Sequence, residues 1–236
     1  MLNHNFAQRG LVYRVILKAA VIFLGASLGG LSVRGQTALI LGDSHTVGDF
    51  GEYLHRQIHA LGRYDVLSLG LGGAGSYHYT VPLKNFCCGF RLRESCRGES
   101  LPKNQKVRVL EEGFGASQEY VLPGFGSRLE RWVEAYRPEL IIVALGSNFT
   151  NAHSQLLKLL RSANPQARIV WVAPFRRTDY EKRLALIEAA ARRDGGTIVI
   201  RSDDILGHDT LKTAHFSGTL ARRWAAAIAE RLKEQL

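Results

Sequence analysis

The 236-residue chain is short of the residues that build metal centres and nucleic-acid readers. It has three cysteines, Cys87, Cys88 and Cys96, all within one irregular stretch. Three thiols without a fourth ligand at standard spacing do not make a structural zinc site, and no metal or other cofactor is expected. No helix-turn-helix, zinc-finger or aromatic RNA-binding signature occurs, so nucleic acid is not an expected partner, although charge alone would permit one. Internal repeats and low-complexity tracts are also missing. Acidic residues are absent from positions 1–35, which hold Arg9, Arg14, Lys18 and Arg34. The formal charge is +10, and the remaining chain carries 27 basic against 21 acidic residues, a surplus that favours approach to anionic surfaces or polymers. With 46% hydrophobic and 22% charged residues the composition is otherwise that of an ordinary globular protein.

Residues 1–35 read as a signal peptide or an N-terminal membrane anchor. The basic positions precede an apolar core, Ala19–Leu31, of secretory length. That core is short of the roughly 20 residues a comfortable membrane span needs, and its glycines weaken it as a helix. Val33-Arg34-Gly35 offers small residues for cleavage, with Arg34 making a poor site. The expected location is therefore exported, periplasmic or extracellular, with cleavage and anchoring both open. In an oxidising compartment Cys96 could pair with Cys87 or Cys88, while the adjacent Cys87 and Cys88 are not expected to bridge each other; three free thiols are the alternative.

Residues 36–236 read as one domain. Ala38-Leu39-Ile40-Leu41 is a buried-strand pattern closed abruptly by Gly42-Asp43-Ser44. Helical periodicity follows over Asp49–Leu61. Asp65–Leu69 is a second strand, running into the glycine-dense loop Gly70–Ser76, which lacks the lysine of a P-loop. Further helices are expected near Gly126–Tyr136, Gln155–Ser162, Tyr180–Arg192 and Ser217–Gln235, with strands at Leu140–Leu145, Arg168–Ala173 and Thr197–Ile200. Such alternation argues an α/β fold with a parallel sheet between two helical layers. Residues 77–125 form an irregular, cysteine-containing insertion in which Lys106–Leu110 and Tyr120–Leu122 are possible short strands. Its aromatics (Tyr77, Tyr79, Phe86, Phe90) and arginines (Arg91, Arg93, Arg97) suggest contact with a sugar-bearing or anionic substrate.

A polar side chain at the carboxyl end of a parallel strand stands where open α/β sheets bind ligands. That makes Ser44 the candidate nucleophile. The G-x-S-x-G elbow of α/β-hydrolases is absent around it. Gly42-Asp43-Ser44, then Gly146-Ser147-Asn148 after a strand, then His215 shortly before the last helix, resemble the signature blocks of the SGNH (GDSL-type) hydrolases. The resemblance covers about residues 37–236. It implies a flavodoxin-like, three-layer α/β/α sandwich with a central, mostly parallel five-stranded sheet. It also implies that Ser44 attacks an ester carbonyl with His215 as base, and that Ser44, Gly73 and Asn148 form an oxyanion hole. Asn148 could instead cap a helix over Thr150–Leu157. The family places an aspartate three residues before the histidine, where this chain has Lys212; Asp203, Asp204, Asp209 or a main-chain carbonyl could orient the ring instead. Asp43 is better suited to stabilising the turn. The implied activity is that of a serine esterase on ester-linked acyl groups, with a small ester or an acylated envelope glycan as partner and a monomer as the working form. A polysaccharide acyltransferase and a non-catalytic glycan-binding module are the alternatives.

Overall fold

A computed structural model describes residues 36–85, 87–115, 126–148, 150–175, 179–206, 215 and 217–236. Residues 1–35, read from the sequence as a signal peptide or anchor, and Phe86, Tyr120–Leu122, Asp209 and Lys212 lie outside the described residues. The expected alternation is present. β1 (Gln36–Gly42) ends in a one-turn helix, α1 (Ser44–Val47), followed by α2 (Asp49–His59) and β2 (Tyr64–Leu71). A 3₁₀ turn (Ser76–Tyr79) leads to β3 (Phe90–Ser95) and β4 (Arg108–Gly113). Then come α3 (Leu129–Tyr136), β5 (Leu140–Ala144), α4 (His153–Ala163), β6 (Arg168–Val172), α5 (Tyr180–Asp194), β7 (Thr197–Ile200), α6 (Ser202–Leu206) and α7 (Gly218–Gln235).

The described strands form one sheet of seven in the order β4-β3-β2-β1-β5-β6-β7. Five are mutually parallel, as expected; β3 and β4 are antiparallel additions. The sheet is therefore wider than the five strands read from the sequence, because part of the insertion joins its edge. Side chains on successive strand residues point to opposite faces. Leu39, Leu41, Leu67, Leu69, Ile141 and Val143 meet α3, α4 and α5 on one face. Ala38, Ile40, Val66, Leu140 and Ile142 meet α2 and α7 on the other. Trp224 of α7 stacks on Phe50 of α2 at 4.2 Å and meets Phe175 edge-on.

β1 lies between β2 and β5, so the chain reverses its direction across the sheet on either side of it. Gly42 is level with both Gly70 and Ala144. The turns after β1, β2 and β5 therefore open side by side at the switch point where doubly wound sheets bind ligands.

Candidate active site

The Ser44 turn is built from its own short sequence. Asp43 caps α1, its carboxylate accepting the His45 N–H at 3.0 Å, while its carbonyl accepts the Thr46 and Val47 N–H groups. This is the turn-stabilising role expected of it. Ser147 adds both hydroxyl and N–H to the same carboxylate, tying the turn after β1 to the turn after β5. Full burial outweighs these bonds and pushes the Asp43 carboxyl up to about 7. A close approach makes room for α1: a Cβ on Gly70 would lie 2.5 Å from the Val47 nitrogen. The Tyr79 hydroxyl reaches the carbonyls of Gly42 at 2.7 Å and Leu69 at 3.1 Å, bracing the strand ends beneath the serine.

Ser44 Oγ faces His215 Nε2 at 2.8 Å, although 171 residues separate them in sequence. The His215 ring also packs against His45, with ring centres 5.2 Å apart. Its loop is anchored where α7 begins, the Gly218 N–H donating to the Asp49 carboxylate at 2.9 Å. Among the aspartates considered for the ring, Asp203 accepts the Tyr180 hydroxyl and pairs with Arg201, and Asp204 approaches the same arginine.

Gly73 and Asn148 stand on adjacent turns. Gly73 has φ +74°, a conformation that favours glycine, and turns the chain as β2 ends. The Asn148 amide donates to the Ala74 carbonyl at 2.9 Å. It is not a helix cap: α4 starts at His153, with Ala152 at the cap position. Ser76 joins the same two turns, bonding the Thr150 carbonyl and accepting the Ala152 N–H. Arg183 of α5 donates to the carbonyls of Gly146 and Ser147 at 2.9 and 2.8 Å.

No protein-family model matches the chain, and no curated protein is similar to it. Solved structures are. A DUF4886 family protein from Bacteroides uniformis matches with a TM-score of 0.51 at 14% identity, over 84% of this chain and 83% of that one. A peptidoglycan O-acetylesterase matches at 0.50 and 14%, over 86% and 92%. An acetyl xylan esterase from the rumen bacterium Butyrivibrio proteoclasticus matches at 0.50 and 13%, over 88% and 66%. The chain has the SGNH-hydrolase fold.

On that SGNH scaffold the insertion differs from its sequence reading. Arg93, Tyr79 and Phe90 are buried rather than turned to solvent, and of the aromatics assigned to substrate only Tyr77, at 52% exposure, stands open among the described residues. Arg93 bonds the carbonyls of α1 instead. For the cysteines, the structure shows the free-thiol alternative and not a bridge to Cys96. Cys87 and Cys88 precede β3 and Cys96 follows it, so six extended residues, roughly 20 Å, separate them. A disulfide needs Cα atoms about 4.4–6.8 Å apart, and all three thiols are free. The Cys87 and Cys88 sulfurs face each other at 2.6 Å. Arg93 and Arg183 were missed as supports of the site. Their one sequence signal is an arginine inside a strand-like alternation and one early in a helix, which is too common to single out. Among the described residues no group of three or more His, Cys, Asp or Glu could hold a metal ion, and no helix is long and apolar enough to cross a membrane.

Proposed function

We propose that the chain is a serine esterase that removes ester-linked acyl groups, O-acetyl groups above all, from a cell-envelope polysaccharide or peptidoglycan. The observation that carries this reading is the 2.8 Å approach of His215 Nε2 to Ser44 Oγ at the rim of the sheet. A serine hydroxyl is a weak nucleophile until a neighbouring base accepts its proton. In this reading His215 takes that proton as Ser44 Oγ attacks the ester carbonyl. The oxyanion is received by the N–H groups of Ser44 and Gly73 and by the second N–H of the Asn148 amide, whose first N–H is held by Ala74. His215 then protonates the departing alcohol, and water attacks the acyl-Ser44 with the histidine again as base.

The glycan substrate is supported by four features. His215 is exposed and Ser44 half-buried, so an acetyl group borne on a polymer can reach them. Tyr77 offers an open aromatic face on the turn that follows Gly73. The basic surplus favours anionic polymers, and two of the structural neighbours are described as esterases of acetylated glycans. Export directed by residues 1–35 would bring the enzyme to such a substrate, and it would work there as a monomer.

A fluorophosphonate tests the chemistry. It should label Ser44 and no other serine, and His215→Ala should abolish labelling while leaving the thermal melt in place. Purified enzyme should release acetate from acetylated peptidoglycan or xylan. A protein that takes up no phosphonate has no working nucleophile, and the esterase reading fails. A labelled protein that transfers acetyl to a sugar in preference to water is a transferase.

A further inference from the structure

The seam between α2 and the β3–β4 hairpin carries one more conclusion, which rests on the serine chemistry above for its kinetic readout. α2 has an apolar face of Phe50, Leu54 and Ile58 directed at the core. It also has a polar stripe, Glu52, His55, Arg56 and His59, at three- and four-residue spacing. The stripe meets the insertion. Arg56 donates to the Leu101 and Pro102 carbonyls, His59 bonds the Glu99 carbonyl, and His55 lies between Ser68 and Ser95.

Arg93 occupies the end of this seam nearest Ser44. It is 1% exposed and donates to three successive carbonyls, those of Thr46 at 2.8 Å, Val47 at 2.8 Å and Gly48 at 3.2 Å. Arg91 adds a bond to Val47 at 3.1 Å. Glu52 balances the buried charge, its Oε2 3.2 Å from Arg93 Nε, and its other oxygen is held by Arg56 and the Val107 N–H. The Thr46 and Val47 carbonyls are at the carboxyl end of α1, which the helix itself leaves unsatisfied; the Gly48 carbonyl, at the junction with α2, also accepts the Glu52 N–H. Ser44 is at the other end of that single turn.

We propose that Arg93 is a positioning residue for Ser44. By gathering three carbonyls at the far end of α1 it fixes the direction in which the Ser44 hydroxyl and N–H point. Its planar guanidinium meets several acceptors at once, which a lysine ammonium on a flexible stem does not. Stability alone does not explain an arginine here, because a buried ion pair commonly contributes no more than well-packed apolar residues of the same volume. The β3–β4 hairpin is thereby part of the catalytic scaffold.

The test uses the full chain and the variants Arg93→Lys, Arg93→Met and Glu52→Gln. Amide hydrogen exchange is followed over residues 44–48, with β5 as internal reference, beside kcat, KM and the phosphonate labelling rate. Both Arg93 variants should exchange at least tenfold faster over 44–48 with β5 unchanged. Their kcat and labelling rate should fall together by 10- to 100-fold, with KM within twofold. Glu52→Gln keeps the three carbonyl bonds; it should melt earlier yet hold kcat within threefold. Unchanged exchange over 44–48 in either folded Arg93 variant overturns the proposal whatever the activity. So does a kcat that merely follows the melting temperature across all three variants. A wild type that resists the phosphonate, while the Arg93 variants still loosen 44–48, instead overturns the esterase reading and upholds the hold of Arg93 on the turn.

Discussion

Asp43 stands one residue before the serine, shut off from solvent, and its proton tells on the whole protein. Burial raises its carboxyl to about 7, so the folded chain binds a proton that the unfolded chain releases near 3.8. Its contribution to stability is complete at low pH and is lost as pH rises through about 7. Asp43→Asn should therefore gain on the wild type between pH 5 and pH 8, by up to a few kcal/mol, in urea melts at the two pH values. A difference that does not change with pH would show that Asp43 does not titrate there. His55 works in the opposite sense. Burial and the nearby Arg93 lower it to about 3, so it remains neutral when folded and its contribution is lost as pH falls below about 6.5. His55→Asn should accordingly lose less stability than the wild type between pH 7 and pH 5. Hydrogen bonds hold both ring nitrogens of His55, Nδ1 to the Ser68 hydroxyl and Nε2 to the Ser95 hydroxyl, each at 2.9 Å. If Asn148 serves the oxyanion as proposed, its loss costs about 2.7–4 kcal/mol of transition-state stabilisation. Asn148→Ala should lower kcat by roughly 10²–10³-fold with KM little changed, in aryl acetate assays.

At the scale of elements, α1 is the tightest fit in the site. Adding a methyl at Gly70 drives it into the backbone of Val47, an overpacking that costs typically about 1–3 kcal/mol. Gly70→Ala should lower the denaturation midpoint and, by displacing α1, reduce kcat; equal activity at equal stability would mean that the turn yields freely. The parallel strands were legible as short unbroken apolar runs closed by turn residues, as in Leu140–Ala144, and the longer helices by their period, as in the Phe50, Leu54, Ile58 stripe. α1 was not, since a single turn has no period to detect. β3 was hidden for a different reason. Phe90-Arg91-Leu92-Arg93-Glu94-Ser95 alternates apolar with polar residues, the mark of a strand with one wet face, yet that polar face is covered. What covers it is the stripe on α2, more than 30 residues away in sequence, and no local window pairs the two. The site divides in the same way. Ser44 could be named because it follows a strand at the carboxyl edge of the sheet, and Gly73, Asn148 and His215 because of the signature blocks they resemble. The 2.8 Å contact and the arginine supports depend on tertiary structure.

Taken whole, the molecule sets its candidate groups on three neighbouring turns about β1 and adds His215 from a separate segment ahead of α7. Its net charge of +10 acts on any charged polymer from a distance. Raising salt from about 0.05 to 0.5 M, which shortens the Debye length severalfold, should depress kcat/KM on an anionic acetylated glycan and leave a neutral aryl acetate unaffected. Equal sensitivity of the two substrates would place the salt effect on the fold instead. The late arrival of His215 also bears on biosynthesis. Ser44 leaves the ribosome 171 residues before its partner, an interval on the order of ten to thirty seconds at ordinary elongation rates. Until α7 settles and Trp224 lodges between Phe50 and Phe175, the nascent chain lacks the contact between Ser44 and His215. On the proposed esterase reading, the serine therefore stays idle until α7 has been made and has packed.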